Sequence, residues 1–135
     1  MHSPRKILVV DHNADNGALL VRTLLRKFPA AAVQLCAETG TAVTLAATES
    51  IDAMVIHRTL EDSAAELTRS LRKLSPDAVI IVVSGVDRSQ DVIAAGADDF
   101  LSYEAWLRIG TVVSAALEAR RSPPRPASAS PFARR

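Results

Sequence analysis

The sequence predicts an α/β fold, in which five parallel strands form a doubly wound sheet with helices on both faces. Short apolar runs alternate with segments of helical periodicity along the chain, and this alternation is typical of a parallel sheet whose strands are joined by helices. Four of the runs are apolar throughout, as strands buried on both faces are. Aromatic residues make up only 4% of the 135 residues, and the many alanines allow helices to pack closely on a sheet.

The first half of the chain predicts three strands and two helices. The run KILVV is a buried strand, the next strand alternates Val33 with Leu35, and AMVI is a third strand that His57 follows directly. Asn13 or Asp15 caps the first helix, which precedes a proline. The predicted strands are residues 6–10, 31–38 and 53–56, and the predicted helices are residues 12–28 and 39–50.

The second half predicts two more strands and three more helices. Leu67, Leu71 and Leu74, at i, i+4 and i+7, mark the third helix. The run AVIIVV is the strongest strand signal. A short fourth helix begins at Ser89, and Gly96 ends it. DDFLS is a short fifth strand, and Asp98 and Asp99 are expected in a solvated turn. The last amphipathic helix begins at Glu104 and its apolar stripe consists of Trp106, Ile109, Val113 and Leu117.

The amino-acid composition indicates the domain organisation and the class of partner. We predict one domain at residues 1–121 and a disordered tail or linker, rich in proline and arginine, at 122–135. Residues 118–135 carry five arginines and one glutamate, so the rest of the chain is mildly acidic and nucleic acid is not an expected partner of the domain itself. No apolar run is long enough to cross a membrane. The single cysteine, Cys36, excludes an intramolecular disulfide, and we predict a cytoplasmic protein.

The polar residues that follow the strands predict where a ligand or partner would meet the protein. In the flavodoxin-like strand order 2-1-3-4-5, the order reverses between the first and third strands, and ligands bind there at the carboxyl ends. Asp11 and His12 end the first strand, His57 the third and Ser84 the fourth, and Tyr103 follows the fifth. These side chains are expected to line one shallow pocket.

Three stretches resemble the receiver domain of bacterial two-component response regulators: KILVVDHNADNGALLVRTLL, SPDAVIIVVSG and AAGADDFLSYE. The resemblance covers residues 5–121. It implies a Mg²⁺ site of two adjacent acids after the first strand and a phosphoacceptor aspartate after the third. It also implies a hydroxyl after the fourth strand and a lysine after the fifth, which bind the phosphoryl oxygens, and an aromatic switch residue in the fifth strand.

The chain departs from that pattern at most of these positions. Asp11 is kept, but its acidic neighbour is His12. His57 stands at the phosphoacceptor position and Tyr103 at the lysine position. Ser84 supplies the hydroxyl. The switch position holds Phe100, and Leu60-Glu61 replaces the Met-Pro pair usual after the acceptor. The resemblance therefore implies a pseudo-receiver that is not an enzyme and needs no cofactor.

Several roles remain open for His57. It could fill the space of the acceptor, form a hydrogen bond with Asp11 and fix one conformation. It could also contact a partner, be phosphorylated itself, or join Asp11 and His12 around a transition metal. The favoured function is signal transduction through protein–protein interaction without phosphorylation. The alternatives are a sensor of a metal or small ligand, and a receiver that uses another acceptor.

The protein partner is expected at the fourth and fifth helices, as a homodimer or a stable heterocomplex. The segment from Ser84 to Tyr103 is shorter than in the family this chain resembles, which would expose apolar groups beside those helices. Arg108 is the exposed charge whose reversal is expected to weaken the contact.

Overall fold

The computed structural model describes residues 4–57 and 64–121. The predicted tail, its boundary with the domain and the Leu60-Glu61 pair lie outside these ranges. The strands are β1 (Lys6–Asp11), β2 (Ala32–Cys36), β3 (Ala53–His57), β4 (Val79–Ser84) and β5 (Asp99–Ser102). The helices are α1 (Ala14–Lys27), α2 (Thr39–Thr48), α3 (Ala64–Leu74), α4 (Ser89–Ala95) and α5 (Ile109–Arg121).

The five strands form one parallel sheet in the order β2-β1-β3-β4-β5, which confirms the predicted fold class and strand order. Strands β1, β3 and β4 are buried along almost their whole length, whereas β2, an edge strand, alternates exposed and partly buried residues before it ends at the buried Cys36. The apolar runs KILVV, AMVI and AVIIVV therefore correspond to the central strands, and the alternating run to an edge strand. The fourth run expected to be buried on both faces, β5, is the other edge strand, and only its Leu101 is buried.

Successive strand residues face opposite sides of the sheet, so the sheet separates two cores. On one side, residues such as Leu8, Ile56 and Ile80 pack with α2, α3 and α4. On the other side, residues such as Val9 and Val55 pack with α1 and α5. In the described parts of the chain, no helix combines the length and the apolar character needed to cross a membrane.

The ends of two helices follow from identifiable residues. Of the two candidate caps of α1, Asn13 takes the role, because its side chain accepts a hydrogen bond from the backbone N–H of Asn16 at 3.0 Å. Gly96 ends α4 with φ of +120°, a conformation that side chains other than glycine rarely adopt.

The start of the last helix differs from the prediction. Residues Tyr103–Arg108 form a 3₁₀ helix, and α5 begins only at Ile109. Ile109, Val113 and Leu117 are buried as the stripe predicted, whereas Trp106 lies in the 3₁₀ helix and is only partly buried against the core of α1 and α5. Ala105 departs from helical dihedral angles, which prevents the α-helix from extending back to Glu104.

Asp98 lies in an exposed bend before β5, as predicted, but its side chain is not free in solvent. Its carboxylate accepts hydrogen bonds from the guanidinium groups of Arg72 and Arg120, at 2.8 and 2.9 Å, and from the backbone N–H of Ile80 at 2.8 Å. Arg72 additionally donates to the backbone carbonyl of Gly96 at 2.9 Å. This cluster joins α3, β4 and α5 at the amino ends of the strands, on the opposite edge of the sheet from the predicted site.

Candidate functional site

Three buried polar residues end three neighbouring strands at the carboxyl edge of the sheet. Asp11, His57 and Ser84 are the last residues of β1, β3 and β4, and they are 0%, 5% and 4% exposed. The strand register places Asp11 directly beside His57. Buried polar groups need hydrogen-bond partners, so the contacts of these three side chains define what the site can do.

The carboxylate of Asp11 has a partner on each oxygen. Its Oδ2 lies 2.8 Å from Nδ1 of His57, and its Oδ1 accepts the backbone N–H of Asn13 at 2.8 Å. A carboxylate only accepts hydrogen bonds, so Nδ1 of His57 carries a hydrogen and donates it. The bond joins the histidine at the acceptor position to the retained aspartate, in the arrangement expected if His57 fills the acceptor space.

Tyr103, at the predicted lysine position, packs against His57. Its ring stacks on the imidazole of His57, with the ring centroids 4.7 Å apart and the planes inclined by 8°. Its hydroxyl donates a hydrogen bond to Oδ1 of Asn16 at 3.0 Å. The two positions at which the chain departs most from the receiver pattern are therefore in direct contact with each other.

Asn16 is a member of the site that sequence reasoning missed. It lies in the first turn of α1, where its backbone N–H donates to the Asn13 cap. Tyr103 is 87 positions further along the chain, and no local pattern connects the two. Asp11, His57, Tyr103 and Asn16 form what we call the strand-end network, which joins β1, β3, the 3₁₀ helix and α1.

Gly17 is a second residue of this region without a sequence signal. A Cβ atom placed on it would lie 2.5 Å from a methyl group of Leu35 and 3.2 Å from the Cβ of Asp11. A side chain at this position would require the Leu35 side chain to move and would crowd the Cβ of Asp11. The absence of a side chain therefore allows α1 to lie close to the ends of β1 and β2.

Ser84 and Phe100 lie near the network without joining it through any contact that the structure describes. The Oγ of Ser84 accepts the backbone N–H of Val86 at 3.1 Å and thereby closes the turn that follows β4. Phe100, at the switch position, is partly buried and packs against the core of α2, α3 and α4.

The described residues give no support to the metal alternative. His12 is exposed to solvent, and within residues 4–57 and 64–121 no three histidine, cysteine, aspartate or glutamate side chains are placed to hold a metal ion together. The predicted cluster of Asp11, His12 and His57 is therefore not formed.

The residues present also do not fit the Mg²⁺ ion that the receiver resemblance implies. Mg²⁺ requires oxygen ligands in near-octahedral geometry and is usually held by carboxylates. The two positions where such acids are expected hold only one carboxylate, Asp11, and each of its oxygens already takes part in a hydrogen bond. Tyr103, at the predicted lysine position, supplies a phenol where the resemblance implies a cation.

Comparisons with known proteins support the fold independently. No protein-family model matches the sequence, and no curated protein matches it. The structure is similar to a CheY-like response regulator receiver domain protein from Methanospirillum hungatei JF-1, with a TM-score of 0.77, 22% identity, and coverage of 88% of this chain and 98% of that one.

Two further neighbours are response regulators. One, from Burkholderia pseudomallei, was solved with a phosphorylated aspartic acid, a calcium ion and citrate, and has a TM-score of 0.67, 26% identity, and coverage of 87% of this chain and 73% of that one. The other is an orphan response regulator of H. pylori, with a TM-score of 0.71, 16% identity, and coverage of 84% and 96%. The chain therefore has the fold of response-regulator receiver domains.

Proposed function

We propose that this protein is a receiver-type signalling domain whose output does not depend on aspartyl phosphorylation and passes through protein–protein contacts. The observation that carries the proposal is the buried contact of His57 with both Asp11 and Tyr103. An imidazole cannot form an acyl phosphate, so the phosphoryl chemistry of the resembled family has no acceptor at its usual position.

The surroundings of His57 support the same conclusion. Phosphoryl transfer depends on cations that neutralise charge as it develops on the transferred group. Asp11 is held by His57 and by the backbone of Asn13, and Tyr103 stands where the cation is expected. We therefore propose that the domain catalyses neither its own phosphorylation nor its own dephosphorylation.

In this proposal the strand-end network holds the domain in one conformation. Receivers of the resembled family respond to a phosphoryl group at the acceptor position, whereas here stacked and hydrogen-bonded side chains fill that position. A satisfied buried polar network favours one conformation, because each alternative leaves a buried group without its partner. The domain would then present one constant surface to its partner.

Phosphodonor treatment tests the chemical part of the proposal. Incubation with acetyl phosphate and Mg²⁺ should add no phosphoryl mass to the intact protein. The comparison variant carries His57→Asp, His12→Asp and Tyr103→Lys, which restore an acceptor, a second acid and a cation, and it should gain more phosphoryl mass than the His57→Asp single variant. A stable, stoichiometric mass increase in the unmodified protein would contradict the proposal.

The contact surface is proposed at α4 and α5, and the partner is a protein rather than nucleic acid or a membrane. Apolar side chains are exposed at the two ends of this region: Ile93 on α4 is 45% exposed and Leu107, just before α5, is 66% exposed.

We place the function in the cytoplasm, as expected from a chain with one cysteine. Burial raises the pKa of that cysteine, Cys36, and so favours its thiol form.

A further inference from the structure

Strand β2 forms one edge of the sheet, and in the part of the chain that the structure describes no strand pairs with its outer side. The backbone N–H of Ala32 donates to the carbonyl of Arg5 at 2.8 Å, so the backbone groups of Ala32 point towards β1. Backbone groups of successive strand residues point to alternate sides, so those of Gln34 also face β1. The N–H and C=O groups of Val33 and Leu35 therefore point outward, where a further strand can pair with them.

This edge lacks the features that usually prevent an edge strand from pairing with another chain. Charged side chains, prolines and bulges are the common ones, but residues 30–37 have the sequence AAAVQLCA, without a charge or a proline. The register with β1 is continuous from Ala32 to Cys36, so no bulge interrupts the strand. The other edge strand, β5, begins at the exposed and charged Asp99. Of the two edges, β2 is therefore the one suited to pairing.

The side of α1 above this edge is apolar. Gly17 of α1 lies against Leu35 of β2, so the helix covers this part of the sheet. On one side of the helix, Lys27 lies against Gly110 of α5, which packs on β4 and β5. The helical period places three apolar residues on the side that faces away from α5, over the outer side of β2: Ala18, Val21 and Leu25. Leu25 is 36% exposed, so a partner at this edge would cover it.

Helix α2 packs on the other face of β1 and β2, and it is uncharged. Its residues, Thr39–Thr48, include no acidic or basic side chain. Two of its hydroxyls donate to backbone carbonyls of the same helix, Thr44 to Gly40 at 3.1 Å and Thr48 to Thr44 at 2.9 Å. These hydroxyls are satisfied without a partner. A strand added to β2 would therefore lie between two uncharged helix surfaces.

We propose that the strand added to β2 is β2 of a second copy of this chain, paired antiparallel across a two-fold axis at Gln34. Val33 of each copy then faces Leu35 of the other, and the outward backbone groups of these residues exchange hydrogen bonds. Gln34 faces Gln34 of the second copy, and each side-chain amide supplies the donor and the acceptor that the other needs. A two-fold interface requires a self-complementary surface, which this uncharged strand provides.

The two-fold axis is normal to the sheet, so it brings like helices together. The two α1 helices meet on one face of the joined sheet and the two α2 helices on the other, and burial of the apolar side of α1 stabilises the pair. The surface of α4 and α5 lies at the opposite edge, beside β5, and stays free. The inference therefore goes beyond the proposed function, because the dimer presents two copies of that surface to its partner.

The chain's own residues 122–135 are a poorer match for the edge of β2. They include four prolines, which lack the N–H that a strand donates to its neighbour. They also follow α5, which packs on β4 and β5 in the other half of the sheet. An extended segment of a different protein would leave the isolated chain monomeric, so the experiments below separate it from self-association.

Charge substitutions at Gln34 test the two-fold axis. Gln34→Glu and Gln34→Lys each place like charges directly opposite each other in the dimer, so each should raise the dissociation constant about fivefold. An equimolar mixture of the two variants places opposite charges together and should associate more tightly than either variant alone. The same two substitutions at Gln90, an exposed glutamine of α4, should leave the dissociation constant unchanged. Sedimentation equilibrium measures the dissociation constant of every sample.

A proline at position 33 tests the backbone pairing. Val33→Pro removes an N–H that points outward and does not bond to β1, so the domain should fold and association should be abolished. The matched control is Val33→Thr, which keeps the N–H and the branched Cβ, and its dissociation constant should stay within about threefold of that of the unmodified protein. Circular dichroism should show that every variant is folded.

Amide hydrogen exchange locates the contact in the unmodified protein. The amides of Val33 and Leu35 should become more protected as the protein concentration rises through the dissociation constant, whereas the amide of Gln34, which faces β1, should be protected at every concentration.

An unmodified protein that stays monomeric at millimolar concentration would overturn the inference. A dimer in which the amides of Val33 and Leu35 stay unprotected would also overturn it, because its copies would meet on another surface, and so would unchanged association of both Gln34 variants. The phosphorylation-independent function is judged by the phosphodonor experiment, so either proposal can fail while the other stands.

Discussion

The substitution His57→Asp would place a second carboxylate beside Asp11, in a buried site that now contains one carboxylate. His57 and Asp11 are neighbours across β1 and β3, their side chains are in contact at 2.8 Å, and both are almost inaccessible to water. The substitution removes the hydrogen bond that His57 donates and replaces it with two acids facing each other. Since Tyr103 occupies the expected lysine position, no cation at that position compensates the added charge.

The expected cost can be estimated from the geometry. Two unit charges about 5 Å apart, at an effective dielectric constant of about 20, repel each other by about 3 kcal/mol. The matched control is His57→Asn, which has nearly the shape of aspartate, loses the same ring stacking on Tyr103 and keeps an N–H that can donate to Asp11. The difference between the two variants therefore isolates the charge, and we expect the free energy of unfolding of His57→Asp to be lower by about 3 kcal/mol.

Urea unfolding at neutral pH measures this difference. With an m-value of about 2 kcal/mol per molar, the midpoint of His57→Asp should lie about 1.5 M below that of His57→Asn. The difference should narrow in acid, because protonation of one carboxylate removes the repulsion. Equal midpoints at neutral pH would refute the reasoning. If Mg²⁺ raised the midpoint of His57→Asp to that of the control, the two carboxylates of the variant would bind the cation without an acid at position 12, and the argument from His12 would fail.

Two further predictions concern residues outside the strand-end network. Asp98→Ala should lower the free energy of unfolding by about 2–3 kcal/mol, because it removes hydrogen bonds to two arginines and a backbone N–H. The adjacent Asp99→Ala should change the free energy of unfolding by less than about 0.5 kcal/mol. Denaturant titrations that give the same free energy for both variants would count against a stabilising role of the Asp98 cluster. Burial raises the pKa of the Cys36 thiol, so iodoacetamide should modify it slowly in the native protein and rapidly in urea, as followed by intact mass; rapid native modification would show that the end of β2 is open.

The sequence by itself determined the elements of this fold and their order. The strands and helices lie close to the predicted segments because apolar runs and helical periodicity report burial locally, without reference to distant parts of the chain. Gly96 marked the end of α4 because a positive φ is a property of one position. The alternation of these elements then constrained the topology, and the topology brought Asp11, His57 and Ser84 to one edge of the sheet.

The tertiary structure decided which side chains meet, because those contacts join residues that are far apart in the chain. Tyr103 reaches Asn16 across 87 positions, and Asp98 reaches Arg72 and Arg120 across 26 and 22. The start of α5 also depends on the tertiary structure, because the amphipathic stripe of the sequence continues through the residues that form the 3₁₀ helix. A periodic pattern reports which face of a segment is buried. The partner of a buried polar group depends on how whole elements pack, and only the assembled fold fixes that arrangement.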